Sequence, residues 1–176
     1  MSMADSFNDY HKWEQHLAEV KLPKWDELPK FDLYMDQVVA YVNDTLGPLD
    51  VDSVTPAMIN NYVKHNIILA PVKKKYQVMQ VADILLIGLL KPTYSMDTIR
   101  QGMDQVTASL FPKRAYDTFI DLMLAGLQGT LSTDAATNLN DQMMKIAVNA
   151  VLDKMKSEKL LALTKEIVKP KPVEQK

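Results

Sequence analysis

Apolar residues recur every three or four positions along most of the chain, which is the spacing of amphipathic helices. Proline and glycine interrupt this pattern and mark the ends of the individual segments. The pattern therefore predicts a mainly α-helical fold. The predicted helices cover residues 7–21, 34–46, 55–66, 79–91, 96–110 and 112–127, with a long final helix after Ser132 or Thr133.

The stretch TPAMINNYVKHN, residues 55–66, has the clearest helix boundaries in the chain. Thr55 is a suitable N-cap, and Pro56 suits the first helical position. Asn66 can adopt the left-handed conformation that closes the C-terminal end of a helix. We therefore predict a short helix with both ends defined by the sequence.

The two faces of this helix differ in character. The face predicted to pack on the core is apolar and consists of Met58, Ile59, Tyr62 and Val63. The opposite face, called the amide face below, is small, amide-rich and cationic, and consists of Ala57, Asn60, Asn61 and Lys64. It carries no acidic residue, which suits contact with an anionic partner.

The segment IILAPVKKKYQV, residues 67–78, predicts a short β-hairpin, or wing. Its first arm is rich in β-branched residues, and its second arm contains Tyr76. Three consecutive lysines, Lys73, Lys74 and Lys75, lie near the predicted tip. No Gly or Asn marks the turn, although these residues are preferred in tight hairpins.

The distribution of charge makes this region unusual. The chain has a net charge of -2, which gives no overall attraction to nucleic acid or to an anionic membrane. Residues 1–54 carry four lysines against eleven acidic residues, whereas residues 55–92 carry five lysines against Asp83 alone. Positive charge is therefore concentrated in one segment of an acidic protein.

These features together predict contact with double-stranded DNA. An Asn amide can pair with adenine in the major groove, and a Lys can donate to guanine or to phosphate. A basic wing beside such a helix would neutralise phosphates without reading sequence. The predicted DNA-binding residues are Ala57, Asn60, Asn61, Lys64, His65, Lys73, Lys74 and Lys75, on a recognition helix over 55–66 and a basic wing over 69–77.

The same residues carry a family resemblance. The stretch from Thr55 to Met103 resembles the winged helix-turn-helix domain of MerR-type transcription regulators. Thr55 and Pro56 match the helix-opening Ser-Pro of that pattern, while Pro71 and Tyr76 match its wing proline and wing-closing tyrosine. Further matches are Ile59, Tyr62, Asp83, Ile84 and the stretch from Tyr94 to Arg100. The resemblance implies a DNA-binding transcriptional regulator.

Some positions depart from the MerR pattern. Asn60 replaces an arginine of the recognition helix, Gln77 replaces an arginine of the wing, and the three lysines are a candidate replacement for both. The chain has no cysteine, so the metal sensing of some MerR proteins is not implied. Residues 22–105 also resemble an uncharacterised domain-of-unknown-function family of low-GC Gram-positive bacteria, regarded as regulatory.

These observations divide the chain into four predicted segments. Residues 1–30 form an N-terminal helix and a proline-containing connector, and residues 31–108 form the winged helix-turn-helix domain. Residues 109–168 form a C-terminal helical region that is expected to hold two copies together as a homodimer. Residues 169–176 are expected to form a disordered tail.

The sequence offers little for catalysis or for cofactors. His11 and His16 are five residues apart, which does not suit a metal site on one helix, and no phosphate-binding glycine loop is present. No enzyme activity, metal or cofactor is therefore predicted. The longest apolar run, residues 79–90, is too short to span a bilayer, and the absence of a signal-peptide pattern and of cysteine favours a cytoplasmic protein without membrane contact.

Two alternatives remain open from the sequence. The winged domain could serve as a scaffold, with the apolar stripes of residues 96–163 binding a partner helix. A ligand pocket could instead lie between the winged domain and the C-terminal region. The methionines that would line such a pocket are Met79, Met96, Met103, Met123 and Met143. The sequence identifies neither a small-molecule effector nor the DNA site.

Overall fold

The computed structural model of the protein describes residues 2–167 and is mainly helical, as the periodicity predicts. Within these residues the chain forms seven α-helices, two short strands and two 3₁₀ turns. The helices are α1 (Met3–Glu19), α2 (Met35–Leu46), α3 (Pro56–Lys64), α4 (Val78–Leu90), α5 (Met96–Thr107), α6 (Pro112–Leu127) and α7 (Leu139–Ile167), and the strands are β1 (Leu33–Tyr34) and β2 (Lys75–Tyr76). The 3₁₀ turns are Trp25–Glu27 and Gly47–Leu49. The predicted tail, residues 169–176, lies outside the described residues.

Two helices begin several residues away from the predicted position, and the others begin within one residue of it. The first helix starts earlier, at Met3, and the last starts later, at Leu139. Asn138 Oδ1 accepts a hydrogen bond from the Asp141 backbone N–H at 3.0 Å, and the Asp141 carboxylate accepts one from the Thr137 N–H at 2.9 Å. These side-chain caps fix the start of α7 beyond the residues where periodicity alone places it.

Helix α4 lies at the centre of the core. Buried side chains occur on every side of it, and it contacts α2, α5, α6 and α7. Gly88 allows α2 to approach closely, because a Cβ at this position would lie 2.5 Å from Leu46 Cδ1. The apolar run of residues 79–90 is therefore confirmed as a buried helix.

The connector between α1 and β1 is fastened to α6. The Tyr116 hydroxyl donates a hydrogen bond to the Pro23 carbonyl at 2.9 Å, and the Trp25 backbone N–H donates one to Asp117 Oδ1 at 2.7 Å. The Trp25 and Tyr116 rings meet edge to face, with their centroids 5.9 Å apart. These contacts attach the connector to α6, although the two segments are about ninety residues apart in the sequence.

The two strands form one small antiparallel sheet. Leu33 lies opposite Tyr76, and Tyr34 lies opposite Lys75. The predicted hairpin is present at its tip, where Val72 pairs with Lys75. Below the tip the second arm pairs with β1 instead of with residues 67–70. The wing is therefore joined to the segment that precedes α2.

Candidate nucleic-acid interface

Helix α3 has the boundaries that its sequence predicts. Thr55 Oγ1 accepts a hydrogen bond from the Met58 backbone N–H at 3.3 Å, and Pro56 occupies the first helical position. Asn66, just beyond the helix, has a φ of 55° and so adopts the left-handed conformation expected of a residue that ends a helix. The prediction of a short helix with sequence-defined ends is confirmed.

The two predicted faces of α3 are also confirmed. Ile59 and Tyr62 are buried in the core, and Met58 and Val63 pack against it. Ala57, Asn60 and Asn61 of the amide face are exposed, Lys64 completes its C-terminal end, and His65 caps the helix. The polar groups of this face are therefore available to a partner.

The loop before α3 is fixed by one side chain that sequence reasoning did not single out. Asn43 on α2 donates from Nδ2 to the Val54 carbonyl at 3.0 Å and accepts from the Val54 N–H at 2.8 Å. Both hydrogen-bonding groups of the Val54 backbone are thus paired with one amide. This clamp sets where α3 begins relative to α2, although the connection is longer than that of a compact helix-turn-helix.

The tip of the wing, residues 72–75, is called the lysine hairpin below. The Val72 N–H donates to the Lys75 carbonyl at 3.0 Å, and the Lys75 N–H donates to the Val72 carbonyl at 2.9 Å. Lys73 and Lys74, between them, have φ values of 49° and 63°. Positive φ at both central residues is the mark of a type I′ turn, which normally contains Asn and Gly. Two exposed lysines therefore occupy backbone positions that disfavour them.

The third lysine has a different environment. Lys75 is half-buried, and its Nζ lies 5.0 Å from the centroid of the Tyr34 ring on β1. An ammonium group at this distance from an aromatic face is attracted to it. Tyr76, which the sequence analysis places at the closing end of the wing, is 2 % exposed. Lys73 and Lys74 are therefore the freely presented charges of the lysine hairpin, whereas Lys75 also supports the sheet.

Two side chains hold the first arm of the wing. Gln80, buried on α4, donates to the carbonyls of Leu69 and Ala70 at 3.0 and 2.8 Å, and its Oε1 accepts from the backbone N–H of Gln77 at 2.6 Å. Arg100 on α5 donates to the Ile67 carbonyl at 2.9 Å. These bonds satisfy backbone groups that a regular hairpin would pair with its second arm. A glutamine within an apolar helix is the sequence signal for this support.

The charge imbalance seen in the sequence persists in the fold. No acidic residue occurs between Asp52 and Asp83. Within residues 2–167, none of the lysines at positions 64, 73, 74 and 75 forms an ion pair, whereas Lys113 and Lys145 each meet a carboxylate. Cations without a carboxylate partner are suited to bind phosphate.

A metal site and a membrane-spanning helix find no support within residues 2–167. No group of three or more His, Cys, Asp or Glu side chains is arranged there to hold a metal ion. His11 Nδ1 lies 3.4 Å from Glu14 Oε2, and His16 Nε2 lies 3.3 Å from the Pro48 carbonyl, so the two histidines have separate partners. No helix in this part of the chain is long and apolar enough to cross a membrane.

Comparison with known proteins places the chain in a family without a described function. Searches of curated proteins and of solved structures gave no significant match. A family described as "Domain of unknown function (DUF1836)" matches residues 23–119, more than half of the chain. The matched region begins in the connector and ends in α6, the two segments that the Pro23–Tyr116 and Trp25–Asp117 hydrogen bonds join. The chain therefore belongs to the DUF1836 family.

Proposed function

We propose that the protein is a DNA-binding transcriptional regulator, in which α3 enters the major groove and the lysine hairpin contacts the phosphate backbone. The observation that carries this proposal is the lysine hairpin itself. Lys73 and Lys74 are exposed, have no acidic partner within residues 2–167, and occupy left-handed positions. A turn that only had to reverse the chain would be more stable with Asn and Gly at these positions.

The backbone conformation of Lys73 and Lys74 is energetically unfavourable. A left-handed conformation costs a residue with a Cβ roughly 1–2 kcal/mol. Backbone strain of this kind is concentrated at functional sites, where the surrounding structure maintains it. At the tip of the lysine hairpin it accompanies two adjacent exposed ammonium groups. Adjacent exposed cations match the closely spaced charges of a duplex backbone.

The amide face of α3 supplies the candidate reading surface. Asn60 and Asn61 are exposed, and a carboxamide can both donate to and accept from the edge of adenine. Lys64, one turn further along, can reach guanine or a nearby phosphate. In this proposal the lysine hairpin provides sequence-independent affinity, and the amide face provides specificity.

The order of elements supports the resemblance to a MerR-type winged helix-turn-helix. Helix α2, helix α3, the lysine hairpin and α4 follow one another as the helices and the wing do in that domain. Asn60 and Gln77 stand where the MerR pattern has arginines. We propose that Lys73 and Lys74 take over the phosphate contacts of those arginines, so that the wing carries more of the affinity here.

The proposal includes a homodimer formed through α7. Helical spacing predicts two apolar stripes on this helix, one through Leu139, Met143, Ile146 and Ala150 and the other through Met144, Val148, Val151 and Met155. The second stripe packs inward through Met144 and Val148. The first stripe leaves Leu139 88 % exposed and Ile146 51 % exposed. Pairing of this stripe between two copies would bury it and would present two α3 helices to successive half-sites of DNA.

The proposal is tested by the salt dependence of DNA binding. We expect Lys73→Ala with Lys74→Ala to reduce the slope of log affinity against log salt by roughly two, because each phosphate that a lysine neutralises contributes about 0.9 to that slope. Lys75→Ala should change it less, because that lysine also lies on the Tyr34 ring. Fluorescence anisotropy with a labelled random-sequence duplex at several salt concentrations measures the slope.

The matched control is Lys12→Ala with Lys21→Ala, which removes the same charge from exposed positions on and beside α1. This control should leave the slope unchanged. Equal slopes for both double variants would show that the lysine hairpin does not contact the DNA backbone. Absence of DNA binding, together with salt-insensitive binding of a protein partner, would favour the alternative of an interaction module that uses the winged domain as a scaffold.

A further inference from the structure

A cavity of about 330 Å³ lies between α4, α5, α6 and α7. Its volume is within the range of small-molecule sites. The wall is largely apolar, with side chains such as Leu86, Phe119 and Met144, and Trp25 of the connector completes it. Of the methionines that the sequence analysis places around a ligand pocket, Met103 and Met143 line this cavity, and Met79, Met96 and Met123 do not.

One charged side chain interrupts the apolar wall. Among the described residues that line the cavity, Asp83 on α4 is the only one with a charge. Its side chain is 20 % exposed, and burial raises the pKa of its carboxyl group to about 6, although Arg100 acts to lower that pKa. The carboxyl group is therefore ionised near neutral pH in surroundings that disfavour the charge.

The neighbouring arginine balances this charge only in part. Arg100 Nη1 lies 4.0 Å from Asp83 Oδ2, beyond hydrogen-bonding distance, while Nη2 is 2.6 Å from Asp104 Oδ1. Arg100 Nη1 also donates to the Ile67 carbonyl at 2.9 Å. Two carboxylates thus share one guanidinium group, and both of its Nη atoms donate hydrogen bonds to groups other than Asp83. The cluster has an excess negative charge at the wall of the cavity.

We propose that the cavity binds a small organic cation, with an aromatic or alkyl body among the apolar side chains and an ammonium group against Asp83. The ammonium group would supply a positive charge and hydrogen-bond donors to this carboxylate, to which Arg100 donates no hydrogen bond. Methionine side chains in the wall adapt to bodies of different shape. The charge selects the class of ligand, because an anion or a neutral molecule would leave the negative charge of Asp83 uncompensated.

Arg100 also joins this site to the lysine hairpin. It binds the Ile67 carbonyl, at the start of the segment that leads to Lys73. A cation at Asp83 would repel the guanidinium group and weaken its hold on Ile67. This regulatory step rests on the proposed DNA-binding function, whereas binding of the cation does not. A change in DNA affinity on adding the cation therefore tests the regulatory step separately.

Binding is tested without DNA by three probes of nearly equal size. These are 4-phenylbutylamine, 4-phenylbutan-1-ol and 4-phenylbutanoate, which carry a positive, a neutral and a negative group on the same body. Quenching or shift of Trp25 fluorescence reports occupancy, with Trp13→Phe to remove the other tryptophan signal. We expect the amine to bind roughly tenfold or more tightly than the alcohol, with the acid weakest.

Two substitutions locate the charge that selects the amine. Asp83→Asn should reduce the affinity for the amine to that for the alcohol and leave the alcohol unchanged. Asp104→Asn, which alters the exposed partner of the same arginine and does not line the cavity, should retain the preference for the amine. Folding of each variant is checked by circular dichroism.

Three results would overturn the proposal. These are no binding of the amine, equal binding of amine and alcohol, and a preference for the amine that survives Asp83→Asn. Ile146, in the α7 stripe proposed for the homodimer, also lines the cavity. Competition between the amine and self-association of the protein, measured by sedimentation at low and high protein concentration, would therefore assign the cavity to the second copy instead. Unchanged DNA affinity in the presence of bound amine would remove only the regulatory step.

Discussion

The lysine hairpin and the α4–α7 cavity carry opposite unbalanced charges in opposite environments. Lys73 and Lys74 are exposed, have no acidic partner within residues 2–167, and occupy a strained turn. Asp83 lies in an apolar wall and shares Arg100 with Asp104. In both places we expect the folded protein to be more stable with a residue of another type, Asn and Gly in the lysine hairpin and Asn at position 83.

The difference between the two regions separates two kinds of binding. At the surface, water solvates the lysines at little cost, so the conformational strain of the turn is the main sign of a function. Inside the cavity, the cost is instead the desolvation of a carboxylate. The first region is suited to a large polyanion such as DNA, and the second to a small cation. Substitutions that relieve the strain of the turn or remove the buried charge test this difference.

The largest effect on stability is expected at Asp83. Burial raises the pKa of this group from 3.8 to about 6, with Arg100 lowering it and Asp104 raising it. Between these values the folded protein holds the proton more tightly than the unfolded chain does, so stability falls as the pH rises from about 4 to about 6. Asp83→Asn should therefore increase the free energy of unfolding by about 2–3 kcal/mol near neutral pH.

Urea denaturation at a series of pH values measures this gain. It should shrink as the pH falls from about 6 and vanish below about 4, where Asp83 is protonated in both states. Asp104→Asn is the control, because that side chain is 64 % exposed and its charge is solvated. A gain in stability that does not depend on pH would come from something other than the buried charge. It would overturn the claim that desolvation of Asp83 destabilises the fold.

A smaller effect on stability is expected at the lysine hairpin, where higher stability should be accompanied by weaker DNA binding. Lys73→Asn with Lys74→Gly gives the turn the residues that a type I′ conformation prefers. We expect the free energy of unfolding to rise by about 1–2 kcal/mol, because the left-handed positions are then occupied at lower cost. Affinity for DNA should fall, since two phosphates are no longer neutralised. Urea denaturation and fluorescence anisotropy measure the two changes.

The control for this prediction is Lys73→Ala with Lys74→Ala. It removes the same two charges but keeps a Cβ at both left-handed positions, so stability should not rise. Both double variants should weaken DNA binding equally. If the Asn-Gly variant gained stability and kept its affinity, the strain would be unrelated to DNA binding. That result would leave the lysine hairpin without a functional explanation.

The features that the sequence predicts well are the ones encoded by adjacent residues. Helix α3 illustrates this, because its cap Thr55, its proline and its left-handed Asn66 all lie within one short stretch. The apolar and polar faces follow from helical spacing in the same way. The lysine turn was predicted in the same way, from Pro71 and Tyr76 on either side of the three lysines, although no Gly or Asn marks it.

The features that the sequence did not reveal depend on residues far apart in the chain. The second arm of the wing pairs with β1, because Gln80 and Arg100 occupy the carbonyls of the first arm. The clamp of Asn43 on Val54 and the charge cluster around Asp83 are also tertiary. A polar residue in an otherwise apolar helix indicates that a tertiary contact exists. The spacing of residues along the sequence does not identify the partner in that contact.

The smallest of these effects concerns the amide face. Asn61 is exposed, so Asn61→Ala should change the free energy of unfolding by less than about 0.5 kcal/mol. If its carboxamide reads a base, binding to a preferred site selected from random oligonucleotides should weaken by about 1 kcal/mol or more. Binding to unselected DNA should stay the same, because the contacts to phosphate are untouched.

Gln101→Ala is the control for Asn61→Ala, because it removes an exposed carboxamide from α5 instead of α3. It should affect neither kind of DNA. Equal weakening on selected and unselected DNA with Asn61→Ala would indicate a phosphate contact and would move the reading role to Asn60 or Lys64. Weakening on selected DNA alone would support the proposal that the lysine hairpin provides affinity and that the amide face of α3 provides specificity.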